Sequence, residues 1–181
     1  SINALKKILF IDKNNIFYLS QIYKLLLGKG FLDQALEKIN SILEIDNKNY
    51  DALRDKSYIY FLNKDYIEAK KYIENISNLK DDDYFGYNIK GLIYLKNNFF
   101  EKAKNFFSTA LKINDQYIDS YNNLGACLLE LEKLDEAKKI FNSAYHIDKK
   151  NVSTLINLAN VLSLQDDIMG AIDHYNEALS L

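Results

Sequence analysis

The sequence predicts an all-α protein: a right-handed α-α superhelix, or solenoid, of five helix pairs preceded by an N-terminal half repeat. Three observations carry this. Ala35, Ala69, Ala103, Ala137 and Ala171 recur every 34 residues, and a fixed period of that size marks stacked supersecondary units. Within each period the apolar residues fall at helical spacing in two runs divided by a short polar turn. In the most regular stretch, Tyr121 to Ala144, the small residues Gly125, Ala137 and Ala144 stand among larger apolar ones, which lets two helices approach closely.

Ile16, Tyr50, Tyr84, Ile118 and Val152 open the repeats, giving 16–49, 50–83, 84–117, 118–151 and 152–181 within one array over residues 1–181. Residues 1–15 fit the second half of a repeat, with Ser1 in the place of Ala35, Leu5 of Ile39 and Ile8 of Ile42. The chain therefore opens on an orphan second helix, and further repeats or a capping helix are expected before it. First helices show stripes such as Leu19, Ile22, Leu25 and Leu26, or Tyr121, Leu124, Cys127 and Leu128. Polar turns follow, among them Gly28-Lys29-Gly30 and Gln165-Asp166-Asp167. Second helices repeat the stripe, as in Phe100, Ala103, Phe107 and Ala110. Each repeat closes on an aliphatic residue (Ile45, Leu79, Ile113, Ile147, Leu181), and the Asn, Asp and Lys residues that follow the first four cap and break the helix. Isolated helices shorter than about 12–15 residues are marginal in water. Stacking supplies the rest, each buried Leu, Ile or Phe contributing roughly 1.5–3 kcal/mol.

Composition narrows the function. Apolar content of 48% with 13% aromatics suits a packed interior and argues against wholesale disorder. The 23 basic and 25 acidic residues nearly cancel, against a nucleic-acid or anionic-membrane footprint. Arg54 is the sole Arg, which disfavours bidentate phosphate recognition. A lone Cys127 rules out an intramolecular disulfide and fits a reducing, cytoplasmic setting. No apolar run approaches the roughly 18 residues of a membrane span, and the N-terminus lacks a basic-then-apolar signal. The chain begins with Ser1, as a processed or excised piece would.

The pattern resembles the tetratricopeptide repeat (TPR) family over essentially the whole chain. Residues 118–151 fit best: Tyr121, Leu124, Gly125, Leu128, Ala137, Phe141 and Ala144 stand where the family expects large, large, small, large, small, large and small. Residues 84–117 follow through Tyr87, Gly91, Tyr94, Ala103, Phe107 and Ala110, with Lys90 in place of Leu. The first two repeats depart further, since Tyr23 and Ser57 replace the small residue and Ile42 and Ile76 the later Ala. The family's frequent Pro at the repeat end is missing from a chain with no Pro. Asp81-Asp82-Asp83 is expected to cap a helix instead.

No catalytic constellation emerges, and no enzyme activity, cofactor or metal site is expected. His146 and His174 occupy different repeat positions without metal-ligand spacing to Cys, Asp or Glu. Cys127 aligns with Leu25, Ile59, Ile93 and Val161 and reads as a buried filler. The resemblance implies protein binding on the inner, concave face of the first helices. That face is approximated by Arg54 and Tyr58, by Phe85, Asn88 and Leu92, by Asn122 and Asn123, and by Asn157 and Asn160. The clamp of Lys, Asn and Arg with which some members hold a C-terminal carboxylate is not supplied by any window of three repeats. A ladder of Asn side chains gripping a peptide backbone is the alternative, through Asn123, Asn157 and Asn160 with Asn88 and Asn122 adjacent. The same Asn residues also occur in repeats that bind nothing through them. The expected function is a non-catalytic interaction module for a peptide or helix of a protein partner. The competing reading is a self-associating structural segment acting through the terminal repeats, by way of Ile172, Tyr175 and Leu179.

Overall fold

The structure, a computed structural model, describes residues 15–76 and 80–181. The half repeat expected over residues 1–15 lies outside the described residues apart from Asn15, as does Leu79. The chain divides into two compact units, Ser1–Asn78 and Leu79–Leu181. In the first, helices α1 (Ile16–Gly28), α2 (Leu32–Ile45), α3 (Tyr50–Leu62) and α4 (Tyr66–Asn75) pack in sequence, each on the next. The second contains α5 (Tyr84–Lys96), α6 (Phe100–Ile113), α7 (Ile118–Glu130), α8 (Leu134–Ile147), α9 (Val152–Leu164) and α10 (Ile168–Leu179). There each helix again packs on the next, and the first helices also meet, α5 on α7 and α7 on α9. The described residues are thus all-α helix pairs, the solenoid class that the 34-residue period requires.

Caps explain where the helices start. Asn15, Asn49, Asp83 and Asn151 accept the N–H of Tyr18, Ala52, Gly86 and Thr154, each three residues on. Asp83 is the last of the triple Asp, so that run does cap α5. Asp65 and Asp167 cap α4 and α10 in the same way. At the ends of α2, α6 and α8 an Asx turn replaces the absent Pro: Asp46, Asn114 and Asp148 accept from the N–H of Lys48, Gln116 and Lys150 at 3.2, 3.1 and 2.9 Å.

The turn inside each pair has one geometry. Gly30, Lys64, Asn98, Glu132 and Asp166, spaced 34 residues apart, have φ of 77°, 64°, 62°, 59° and 62°. After each, an N–H reaches back to the carbonyl five residues earlier, as Phe31 does to Leu26 (3.0 Å) and Lys133 to Leu128 (2.9 Å). These are Schellman closures, which need a left-handed residue. Only the first repeat supplies Gly there.

In the third and fourth repeats a phenylalanine ring of the second helix lies against a glycine of the first. A Cβ on Gly91 would lie 2.5 Å from the Phe107 ring, and one on Gly125 would lie 2.3 Å from that of Phe141. Tyr23 and Ser57, which replace that small residue, are accommodated differently. Tyr23 is fully buried with Ile39 in the first unit's core and sends its hydroxyl to Asp55 Oδ2 at 2.9 Å. Ser57 donates to the Ala69 carbonyl at 2.8 Å across its own pair. Lys90, in the place of a Leu, lays its ammonium 5.1 Å from the Phe106 ring. Lys56, one repeat earlier, lies 4.4 Å from Tyr72, which itself stacks on Tyr60. Cation–π contact with the buried stem of the lysine replaces aliphatic packing at this position.

The left-handed turn yields a direct test. A non-glycine residue in that region carries a backbone cost of roughly 1 kcal/mol, part of it offset by the greater freedom of Gly in the unfolded chain. Glu132→Gly is expected to raise the unfolding free energy by about 0.5 kcal/mol, and Gly30→Ala to lower it by about 1 kcal/mol, both read from urea denaturation.

Candidate functional site

In the second unit the residues expected to face a ligand lie on α5, α7 and α9, but they do not share one environment. Asn88 is 3% exposed and Asn122 is 9% exposed. Asn88 Oδ1 accepts from Ser120 Oγ and from Asn123 Nδ2, both at 3.0 Å. One repeat on, Asn122 Oδ1 accepts from Asn157 Nδ2 at 3.2 Å, while Asn122 Nδ2 donates to Thr154 Oγ1 at 3.1 Å. The Thr154 hydroxyl in turn donates to Asn151 Oδ1 at 3.0 Å. Each of these two clasps ties a first helix to the next through side chains 32 and 35 residues apart. Asn88 and Asn122 therefore stand between helices, inside the face rather than on it.

Three amides keep hydrogen-bonding capacity at the surface. Asn123 and Asn157 are half-buried, and each gives an N–H to its clasp while its Oδ1 has no protein partner among the described residues. Asn160 is exposed; its Oδ1 accepts from the Tyr175 hydroxyl, and its Nδ2 has no protein partner among the described residues. Beside these amides run half-buried Leu92, Leu95, Ala126 and Leu129 and the exposed Ile156. Phe85 is half-buried at the start of α5. The face thus combines amide groups that donate or accept with apolar side chains.

Arg54 and Tyr58 belong to the first unit. Arg54 Nε donates to Asp55 Oδ1 at 2.8 Å, and Nη1 lies 3.3 Å from Asp51 Oδ1. Asp55 is buried and takes Tyr23 as its second donor. Burial, and then the charge of Asp55, push the Tyr23 phenol far above its usual range, so it remains a donor. The sole guanidinium is already engaged by two carboxylates, and Tyr58 is half-buried beside it on α3.

Sequence reading missed Ser120 and Thr154, the hydroxyl halves of the two clasps. The available signal was a hydroxyl residue 32 places after an Asn, in two successive repeats. Cys127 is buried, and its thiol donates to the Phe100 carbonyl at 3.1 Å. Burial pushes that thiol up to about 11, which leaves it protonated and a poor nucleophile. His174 packs edge-on to Tyr145 near Glu177, and His146 is exposed. Among the described residues no three His, Cys, Asp or Glu side chains gather as a metal site, and no helix is long and apolar enough to cross a membrane.

Two tetratricopeptide repeat profiles match residues 86–117 and 106–139. No curated protein matches the chain in sequence. Solved structures do. YrrB, described as a TPR protein with an unusual peptide-binding site, superposes with a TM-score of 0.70 at 20% identity, over 99% of this chain and 93% of its own. MamA from Desulfovibrio magneticus RS-1 gives 0.75 at 17% identity, over 92% of this chain and 94% of its own. A chain of the APC/C hetero-tetramer Cut9-Hcn1 gives 0.88 at 18% identity, over 99% of this chain and 36% of its own. At such identities the likeness is one of fold, and it agrees with the repeat residues and with the two profiles. Residues 86–139 thus match tetratricopeptide repeats, and the described residues share the fold of solved tetratricopeptide repeat proteins.

Proposed function

We propose that this chain is a non-catalytic interaction module that binds a peptide or helix of a protein partner along the first-helix face of its second unit. The observation that carries the reading is the set of Asn123 Oδ1, Asn157 Oδ1 and Asn160 Nδ2, which have no protein partner among the described residues and sit on first helices of the same unit as the accessible Leu92, Ala126 and Ile156. Amides of this kind pair with the backbone of an extended segment whatever its sequence, and the apolar neighbours take its side chains. Phe85 and Leu92 supply apolar contact at the α5 end. Asn88 and Asn122 contribute by fixing where Asn123 and Asn157 point. Arg54 and Tyr58 offer a stretch of the corresponding face in the first unit, with the charge of Arg54 already neutralised by Asp51 and Asp55. The near-zero net charge of −2 and the engaged guanidinium weigh against nucleic acid as the partner. YrrB, with its own peptide-binding site, is one solved relative in fold that fits this reading.

A second reading rests on α10. Ile172, Tyr175 and Leu179 are 45%, 37% and 85% exposed, although Phe107 and Phe141, two repeats and one repeat before Tyr175, are fully buried. Self-association through this apolar stripe predicts a mass that rises with concentration in static light scattering and returns to the monomer value in Ile172→Glu. A strictly monomeric wild type at all concentrations contradicts it.

The groove itself is tested by charge. Leu92→Lys combined with Asn157→Arg is expected to remove the partners captured from a cell extract and identified by mass spectrometry, whereas Lys139→Glu on the exposed side of α8 retains them. Equal recovery by all three proteins contradicts groove binding.

A further inference from the structure

Charge is divided unevenly along the chain. Residues 151–181 hold three Asp and one Glu with neither Lys nor Arg, whereas residues 1–32 hold five Lys and one Asp. Apolar exposure is matched at the same two places. On α1, Leu25 is 37% exposed, although Ile59, Ile93, Cys127 and Val161, at its place in the four later repeats, are fully buried. Phe31, just after α1, is 50% exposed, and on α10 Ile168 and Met169 are 53% and 70% exposed. Contacts between neighbouring repeats of the second unit show which of these side chains meet when a first helix follows a second one. Cys127 donates to the Phe100 carbonyl, Lys133 lies 3.9 Å from Glu101, and Ala126 lines an open recess together with Asn98. Carrying the first member of each pair three repeats back, and the second two repeats on, gives Leu25 with Ile168, Phe31 with Met169 and Lys24 with Asp166. Two are apolar pairs, and the third is an ion pair of exposed residues.

We infer that the last repeat takes α1 of a second copy of this chain as its next first helix, with Leu25 against Ile168, Phe31 against Met169 and the Lys24 ammonium at the Asp166 carboxylate. The inference rests on the self-association reading above and names the surface that α10 meets. Charge selects this occupant. Pairing α10 with α10 brings two acidic surfaces together with no Lys or Arg between them, whereas α1 and its turn supply Lys24 and Lys29. The clasps point the same way. Asn88 and Asn122 hold the following first helix through polar bonds, but their place in the last repeat is taken by Ile156, which is 40% exposed. On α1 the place of Ser120 and Thr154 is taken by the half-buried Tyr18, so an apolar residue meets a ring where an Asn meets a small hydroxyl inside the array. The contact is heterologous, since each copy uses a different surface, and copies add head to tail.

The test uses the full chain in static light scattering. Wild type is expected to rise in mass with concentration, and Leu25→Glu and Ile168→Glu, each with the circular dichroism of wild type, to stay monomeric. Mixed in equal amounts, the two variants are expected to form a heterodimer and nothing larger, because each keeps the surface that the other has lost. Lys24→Glu alone is expected to weaken association about fivefold, and Asp166→Lys in the same chain to restore it. Lys64, at the place of Asp166 in the second repeat, shares its left-handed backbone, so lysine fits there. Should either Glu variant unfold, this charge swap decides, and failure to restore association overturns the contact. A mixture of folded variants that stays monomeric overturns it too. If Leu25→Glu associates as wild type does while Ile168→Glu does not, the end-to-end contact falls and self-association through α10 stands. A wild type that is monomeric at every concentration overturns both, the result expected if residues 1–14 of the same chain take the place on α1.

Discussion

The structure depends on how closely two helices of a pair can approach. In the third and fourth repeats that distance is set by a phenylalanine ring lying where a glycine has no side chain: Phe107 over Gly91 and Phe141 over Gly125. Glycine in a helix interior costs about 1 kcal/mol relative to alanine, so its presence twice at the same repeat position is explained by the ring. Elsewhere the volume is divided differently. The same two places hold Tyr23 with Ile39, Ser57 with Ile73, and Ala159 with Tyr175. Where the first is large the second is aliphatic, and where the second is aromatic the first is small. Interiors are packed closely enough that such trading is required.

A second layer of order runs along the first helices. Helix packing continues from one repeat to the next, and the Asn clasps add buried, directional bonds to it. Asn88 with Ser120 and Asn123, and Asn122 with Thr154 and Asn157, do this in the second unit. In the first unit Tyr23 and Asp55 join α1 to α3, and Arg54 neutralises the buried carboxylate. The clasps bear on the proposed binding because the Oδ1 atoms of Asn123 and Asn157, the residues that complete them, have no protein partner among the described residues. Stacking thereby orients two of the groups that the proposed function uses.

Much of the fold was legible because the period repeats the same physical demands five times. Small residues such as Ala103 and Ala137 had to be buried, Cys127 had to take the place of an aliphatic residue, and Asp83 had the spacing of a cap. The turn geometry was hidden, since Gly30 announces a left-handed residue while Lys64 and Glu132 do not. Lys56 and Lys90 were opaque for a related reason: their partners, Tyr72 and Phe106, lie on the other helix of the pair. The candidate face was harder still. An Asn facing a ligand and an Asn facing the next helix look identical in sequence, so Asn88 and Asn122 could not be told from Asn123 and Asn157.

The measurement that bears most directly on this account is a double-mutant cycle at Gly125 and Phe141, read by urea denaturation. If the ring requires the glycine, Gly125→Ala lowers stability by about 1–3 kcal/mol despite the better helix propensity of alanine, and the Phe141→Leu background removes at least about 1 kcal/mol of that loss. A stabilising Gly125→Ala, or two effects that add to within about 0.3 kcal/mol, would contradict it.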